Sequence, residues 1–269
     1  MRSLILSVRQ KGEAMAIKAK EKSPEERLVE EIENLGRTHG MNTVFTNFLE
    51  LTALALAIQM DTVNREERQE RYEELEKSID REALSSYGRM TFYLILAIRE
   101  YHSDPKDILG EVYTRLKLSN EWNGQFFTPD AISRFMAEIL QIPENIPDEK
   151  GYVTINEPTC GSGTMIYGAV WAMQKNGFDY QRKSLFVAQD IDIRCVWMSY
   201  IQCCLYRIPV VVIHGNTLTQ EEWSYWYSLD ALQVLAANVC SSQTDGRQLS
   251  GTSMNEQQKT TQQKGDLAV

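Results

Sequence analysis

Apolar residues recur at helical spacing through the first half of the chain and gather into short β-branched runs in the second. Residues 1–22 are charged and without period, and mobility is expected there. Ser23 then precedes Pro24, with Glu26 three positions on, which is an N-cap, a first-turn proline and a capping box. Leu28, Ile32 and Leu35 form the stripe of this first helix, and Gly36 and Gly40 are expected to break it. A second helix carries Val44, Phe45, Phe48, Leu49, Leu51, Leu54, Leu56 and Ile58, apolar nearly all round, which predicts a central place in a bundle. A third, over 64–79, is highly charged, with Tyr72, Leu75 and Ile79 on one side; its Glu/Arg run reads as a solvated face. A fourth over 90–101 and a fifth from Asp104-Pro105, with Ile108, Val112, Tyr113 and Leu116, complete an all-helical region over 23–120.

Behind Pro129 a helical pattern holds Ile132, Phe135, Met136, Ile139 and Leu140. Three apolar runs, Val153–Ile155, Leu185–Ala188 and Val210–Ile213, then alternate with helical patterns over 165–173 and 193–207. Strands alternating with helices predict an α/β fold with a parallel sheet, over 121–240. Glu221 to Tyr227 is an aromatic cluster that reads as a short helix or a partner surface. Leu232, Val234 and Leu235 fit a last strand or helix, and 241–269, rich in Gln, Ser, Thr and Gly, is expected to be disordered.

Each strand ends on residues that suit a ligand, where ligands of open α/β sheets bind. The first runs into Glu157-Pro158-Thr159-Cys160-Gly161-Ser162-Gly163. Gly161 and Gly163 allow a tight turn with bare backbone, and Glu157 suits an ammonium group or a hydroxyl. The second ends in Gln189-Asp190-Ile191-Asp192, where Asp192 is the better helix cap and Asp190 the better ligand group. The third leads into His214-Gly215-Asn216-Thr217-Leu218. Some thirty residues before the glycine turn stands Gly124-Gln125-Phe126-Phe127-Thr128-Pro129.

In these four segments, in this order, the chain resembles the S-adenosylmethionine-dependent adenine-N6 DNA methyltransferases, specifically the modification subunits of type I restriction–modification systems. The resemblance covers about residues 104–218. It implies an N-terminal helical bundle followed by a Rossmann-like methyltransferase domain with S-adenosylmethionine as cofactor. It also implies roles for single residues. Glu157 takes the methionine ammonium, with Thr159, Cys160, Gly161 and Gly163 along the ligand. Asp190 accepts the ribose hydroxyls, and Asn216 contacts the adenine ring where the family often has Asp. Phe127 and Thr128, with Phe126, close over the methionine end. DNA and a specificity or other restriction–modification subunit are the implied partners.

The chain departs from the family in one respect. The Asn-Pro-Pro-Tyr/Phe motif that holds the target adenine is not found, and no proline lies beyond Pro209. Leu235-Ala236-Ala237-Asn238 resembles the strand leading to it, which makes Asn238 a weak catalytic candidate, but Val239 and Cys240 follow. The methyltransferase domain is thus expected to be truncated before that motif, with catalysis by the isolated chain doubtful. The alternative is a non-catalytic methyltransferase-like binding or regulatory protein of a restriction or mobile-element system.

Charge changes the picture for DNA. A formal net charge of −9 and a pI near 5.0 make the chain a poor stand-alone DNA binder, so a basic patch or partner is expected to supply the phosphate contacts. Cys160, Cys195, Cys203, Cys204 and Cys240 are irregularly spaced, and there are 3 His; this excludes a zinc-finger pattern and fits free thiols in a reducing cytosol. The run Leu51 to Ile58 is too short to span a bilayer, so a cytoplasmic protein without a membrane segment is expected.

Overall fold

A computed structural model describes residues 22–61, 64–118, 127–140 and 151–237. Helix α1 (Pro24–His39) opens with the capping box: the Ser23 hydroxyl accepts from the Glu26 amide at 3.1 Å and the Glu26 carboxylate from the Ser23 amide at 2.9 Å. Gly36 does not break α1. It lies buried where the helix meets Met41, close enough that an added Cβ would stand 2.7 Å from the Met41 sulfur. The break comes at Gly40, whose φ of +85° suits glycine. Helix α2 (Met41–Met60) is long and apolar enough to cross a membrane by composition, yet it packs against α1, against α3 (Arg65–Ser78) and against α9, described below, as a core helix does.

The charged run of α3 is not wholly a solvated face. Arg68 is buried, pairs with Asp61 at 3.1 Å and donates to the Tyr225 carbonyl. Helix α4 (Arg81–Glu100) starts well before the apolar period beginning at Met90, because Asp80 caps it through the amides of Glu82 and Ala83. Helix α5 (Ile108–Arg115) is capped by Asp107, not by Asp104.

Helix α6 (Asp130–Leu140) turns its apolar stripe outward. Ser133 and Ala137 are buried against α7 (Thr164–Lys175), while Ile132, Phe135, Met136, Ile139 and Leu140 are 43–71% exposed. Contact with α7 selects small residues: a Cβ on Gly168 would lie 2.8 Å from the Ser133 carbonyl carbon. Gly168→Ala should therefore push the helices apart and cost about 1–2 kcal/mol, read as a lower urea midpoint at unchanged m.

The sheet follows. Strands β1 (Val153–Glu157), β2 (Ser184–Asp190) and β3 (Val210–Asn216) run parallel, joined by α7, the one-turn α8 (Tyr180–Lys183) and α9 (Ile193–Tyr206). The three strands read from the sequence are parallel as expected, and a fourth, β4 (Glu221–Tyr227), pairs antiparallel with β3. Among the described residues the order is β1-β2-β3-β4. The aromatic cluster expected as a short helix or partner surface is this strand. Its period is two: Trp226 packs inward on Trp197 and Tyr200, while Tyr225 and Tyr227 stack. Residues 229–237 are helical, so Leu235–Ala237 is not the strand its resemblance suggested. Ala231 and Leu235 lie with Leu185, Val211 and Ile213 on one sheet face. On the other, α7, α9 and helices α1, α2, α4 and α5 share one buried apolar cluster with Phe186, Ala188 and Val212. Coverage on both faces explains why β2 and β3 are continuous apolar runs. Readings on 1–21, Phe126, Asn238, Cys240 and 241–269 lie outside the described residues.

Candidate functional site

The parallel register brings the carboxyl ends of β1, β2 and β3 side by side, with Glu157 beside Ala188 and Asp190 beside His214. The loops there are tied to each other. The Cys160 amide donates to the Gln189 carbonyl at 2.8 Å, and the Gly161 amide to Asp190 Oδ2 at 2.8 Å. Thr217 Oγ1 donates to the Pro158 carbonyl, and His214 Nε2 lies 3.2 Å from the Ile191 carbonyl oxygen.

The glycine turn bends as its residue types demand. Gly161 has φ +53° and Gly163 φ +100°, a conformation costly for residues with a Cβ. A Cβ on Gly161 would stand 3.2 Å from the Phe127 ring, so Phe127 lies directly over the turn; its ring also meets Tyr113 edge-on at 5.5 Å. Thr128 beside it is half-buried. Thr159 is exposed, and its amide reaches Glu157 Oε1 at 3.4 Å.

Two carboxylates face this corner. Burial is the main cause that raises the pKa of Asp190, against the hydrogen bonds from Gly161 and Asp192, which lower it. Burial likewise raises Glu157, and the charge of Asp190 adds to the shift. Asp190 caps no helix; Asp192 does, accepting from the Arg194 amide at 2.9 Å. Both Asp190 oxygens already take a backbone amide, Oδ1 from Asp192 and Oδ2 from Gly161. Asn216 is turned partly to its own loop, where its carbonyl accepts from Leu218 at 3.0 Å and Thr219 at 3.4 Å.

Cys160 is buried and its thiol is pushed well above the ordinary range by desolvation, which keeps it neutral and unreactive. Among the described residues no group of His, Cys, Asp and Glu could hold a metal. One feature of the site escaped the sequence reading. Ile191, 59% exposed, is an apolar side chain beside Asp190; its signal is an isoleucine between two acidic residues at a strand end.

Residues 104–268 match the model of the N-6 DNA methylase family. The chain belongs to that family. The match of this N-6 DNA methylase chain continues past residue 218, where the resemblance of its motifs stops, and its first helix is α5. Among the solved structures similar to it are two methyltransferases. One is a Listeria monocytogenes protein assigned as a class I S-adenosylmethionine-dependent methyltransferase, with 16% identity, a TM-score of 0.35 and 72% of the present chain covered. The other is the methyltransferase subunit of a type I restriction–modification system from Streptococcus thermophilus, with 19% identity, a TM-score of 0.36 and 73% covered. The N-6 DNA methylase chain spans 54% and 40% of their respective lengths. A comparison with curated proteins gives no match.

Proposed function

We propose that the corner between Glu157, Gly161 and Asp190 binds S-adenosylmethionine, and that the chain serves adenine-N6 methylation of DNA as a subunit of a type I-like restriction–modification complex. The observation that carries this reading is the bond from the Gly161 amide to Asp190, which sets two desolvated carboxylates around bare glycine backbone. The residues fit the cofactor's chemistry. Glu157 suits its ammonium, the Asp190 carboxylate suits the ribose hydroxyls, and Ile191 offers an apolar face to the adenine. Phe127 and Thr128 close the methionine end, while Asn216 has only its amide end to spare for the ring. When bound, the cofactor supplies an activated methyl group. The protein's part is to orient it, exclude water from it and hold its charged ends.

Turnover needs a polar group for the amino group of a flipped adenine. This sequence carries no Asn-Pro-Pro-aromatic motif. We therefore place the catalytic groups outside these 269 residues. Among the described residues β1 is paired on one side only, and the apolar stripe of α6, the helix that packs on α7, is exposed. An open strand edge suits an added strand, and an exposed apolar helix face suits a partner. A methyltransferase-like binding or regulatory protein without catalysis is the second reading.

Calorimetric titration of the purified chain with S-adenosylmethionine should give micromolar affinity that Glu157→Ala abolishes. No heat up to millimolar cofactor would remove the cofactor reading. In the same preparation, methyl transfer to duplex DNA should stay at background; clear turnover would show that these 269 residues hold the catalytic groups.

A further inference from the structure

Asp107 lies outside the three strand-end loops, yet it reaches into one of them. It caps α5 by accepting from the Gly110 amide at 2.8 Å and is itself buried. A cap needs no more than that, and Ser or Asn would serve as well. Its carboxylate also accepts from Gln202 Nε2 of α9 at 3.0 Å, from Thr164 Oγ1 at 2.8 Å and from Ser162 Oγ. Ser162 and Thr164 flank Gly163 in the glycine turn, and both are buried. The surroundings are built for this approach. A Cβ on Gly110 would stand 2.1 Å from Asp107 Oδ2 and 2.6 Å from Ser162 Oγ. The Ser162 carbonyl accepts from Gln202 Nε2 at 3.1 Å and from the Tyr167 hydroxyl at 2.8 Å, and Gln202 Oε1 accepts from the Leu109 amide at 2.9 Å.

A buried carboxylate is retained where several donors converge on it. Here two donors are hydroxyls of the turn that presents bare backbone at Gly161. We infer that Asp107 is a positioning residue for the glycine turn: it draws the side chains of Ser162 and Thr164 inward, so that the turn's backbone faces Glu157 and Asp190. The shape of the turn is then conditional on the docking of α5. The inference deepens the cofactor reading and rests on it for its effect on binding. The hold on the turn itself is measured without any ligand.

Hydrogen exchange of the full chain, read by mass spectrometry in the absence of cofactor, tests it. In Asp107→Ala the peptide over 158–166 should exchange at least tenfold faster than in wild type, while the peptide over β3 is unchanged. Asp107→Asn should restore most of the protection, because a carboxamide accepts the Gly110 amide and the two hydroxyls can rotate to accept from it. Cofactor titration should follow the same order, with at least tenfold weaker binding for alanine and less than threefold for asparagine. Unchanged exchange at 158–166, or equal acceleration of every peptide, overturns the inference. If wild type binds no cofactor while the exchange pattern appears, the cofactor reading fails and the hold of Asp107 on the turn stands. Should Asp107→Ala not fold, Thr164→Val removes one of the donors, and a turn no faster than wild type in that variant overturns the inference equally.

Discussion

Asp190→Ala should weaken S-adenosylmethionine binding at least a hundredfold, about 3 kcal/mol, with the fold retained. Two losses add. The ribose hydroxyls lose a charged acceptor, on the order of 1.5–3 kcal/mol for each charge-assisted bond. The Gly161 amide loses its 2.8 Å partner, so the turn is no longer fixed against β2. Asp190→Asn should lie between alanine and wild type, since a carboxamide has one acceptor oxygen for two amide donors, Gly161 and Asp192. Affinity within threefold of wild type for the alanine variant would take Asp190 out of the site. The pH dependence has a definite sign. Burial raises both Asp190 and Glu157, so affinity, which needs them ionised, should start to fall with decreasing pH above the ordinary carboxylate range of ~4. The ligand-free fold runs the other way. The stability linked to these two groups is fully present below their unfolded values and is lost as pH rises through the raised folded ones. Because the Asp190 charge is one cause of the Glu157 shift, the fall in any residual affinity of Asp190→Ala should move to lower pH.

Arg68→Ala should cost about 3–5 kcal/mol of stability, the scale for breaking a buried ion pair by removing one partner. Arg68 and Asp61 are 7% and 6% exposed. The guanidinium also lies over the Trp226 ring at 4.3 Å and donates to the Tyr225 carbonyl, so it joins α3 to β4 across 157 positions of chain. Without it the Asp61 carboxylate keeps the Asn64 amide and Nδ2, both at 3.0 Å, which places the loss toward the lower end. The melting temperature should drop by roughly 10 °C. Adding Asp61→Asn to Arg68→Met should recover most of it. A single alanine variant within 1 kcal/mol of wild type, on the order of a surface substitution, would show that the link is dispensable.

What the sequence disclosed was local. The glycine turn, Glu157, Asp190 and the helix starts at Ser23 and Asp192 each announce themselves within a few residues, because caps and turns are made by neighbours in the chain. The direction in which a stripe faces is not local. Ile132, Phe135 and Ile139 repeat like a buried face, but Gly168 lets the small residues of α6 approach α7 instead. Arg68 reads as one charge in a charged run, and only its distant contacts with Tyr225 and Trp226 explain its burial. Asp107 has a visible cap signature, Asp-x-x-Gly, while its partners Ser162 and Gln202 stand 55 and 95 positions away. Strand β4 was obscured by composition, since four aromatic residues in seven mask the alternation that pairs it with β3.

Helix α9 has the sheet on one side and α2 on the other. Tyr200, Ile201, Met198 and Cys203 are fully buried in consequence. The family match begins at residue 104, beyond α1 to α4, so the matched segment and the segment that packs together are different lengths of chain. Cutting the chain at that boundary would strip α2 from α9 and leave an apolar helix in water. The boundary of the family match is therefore not a boundary of the fold.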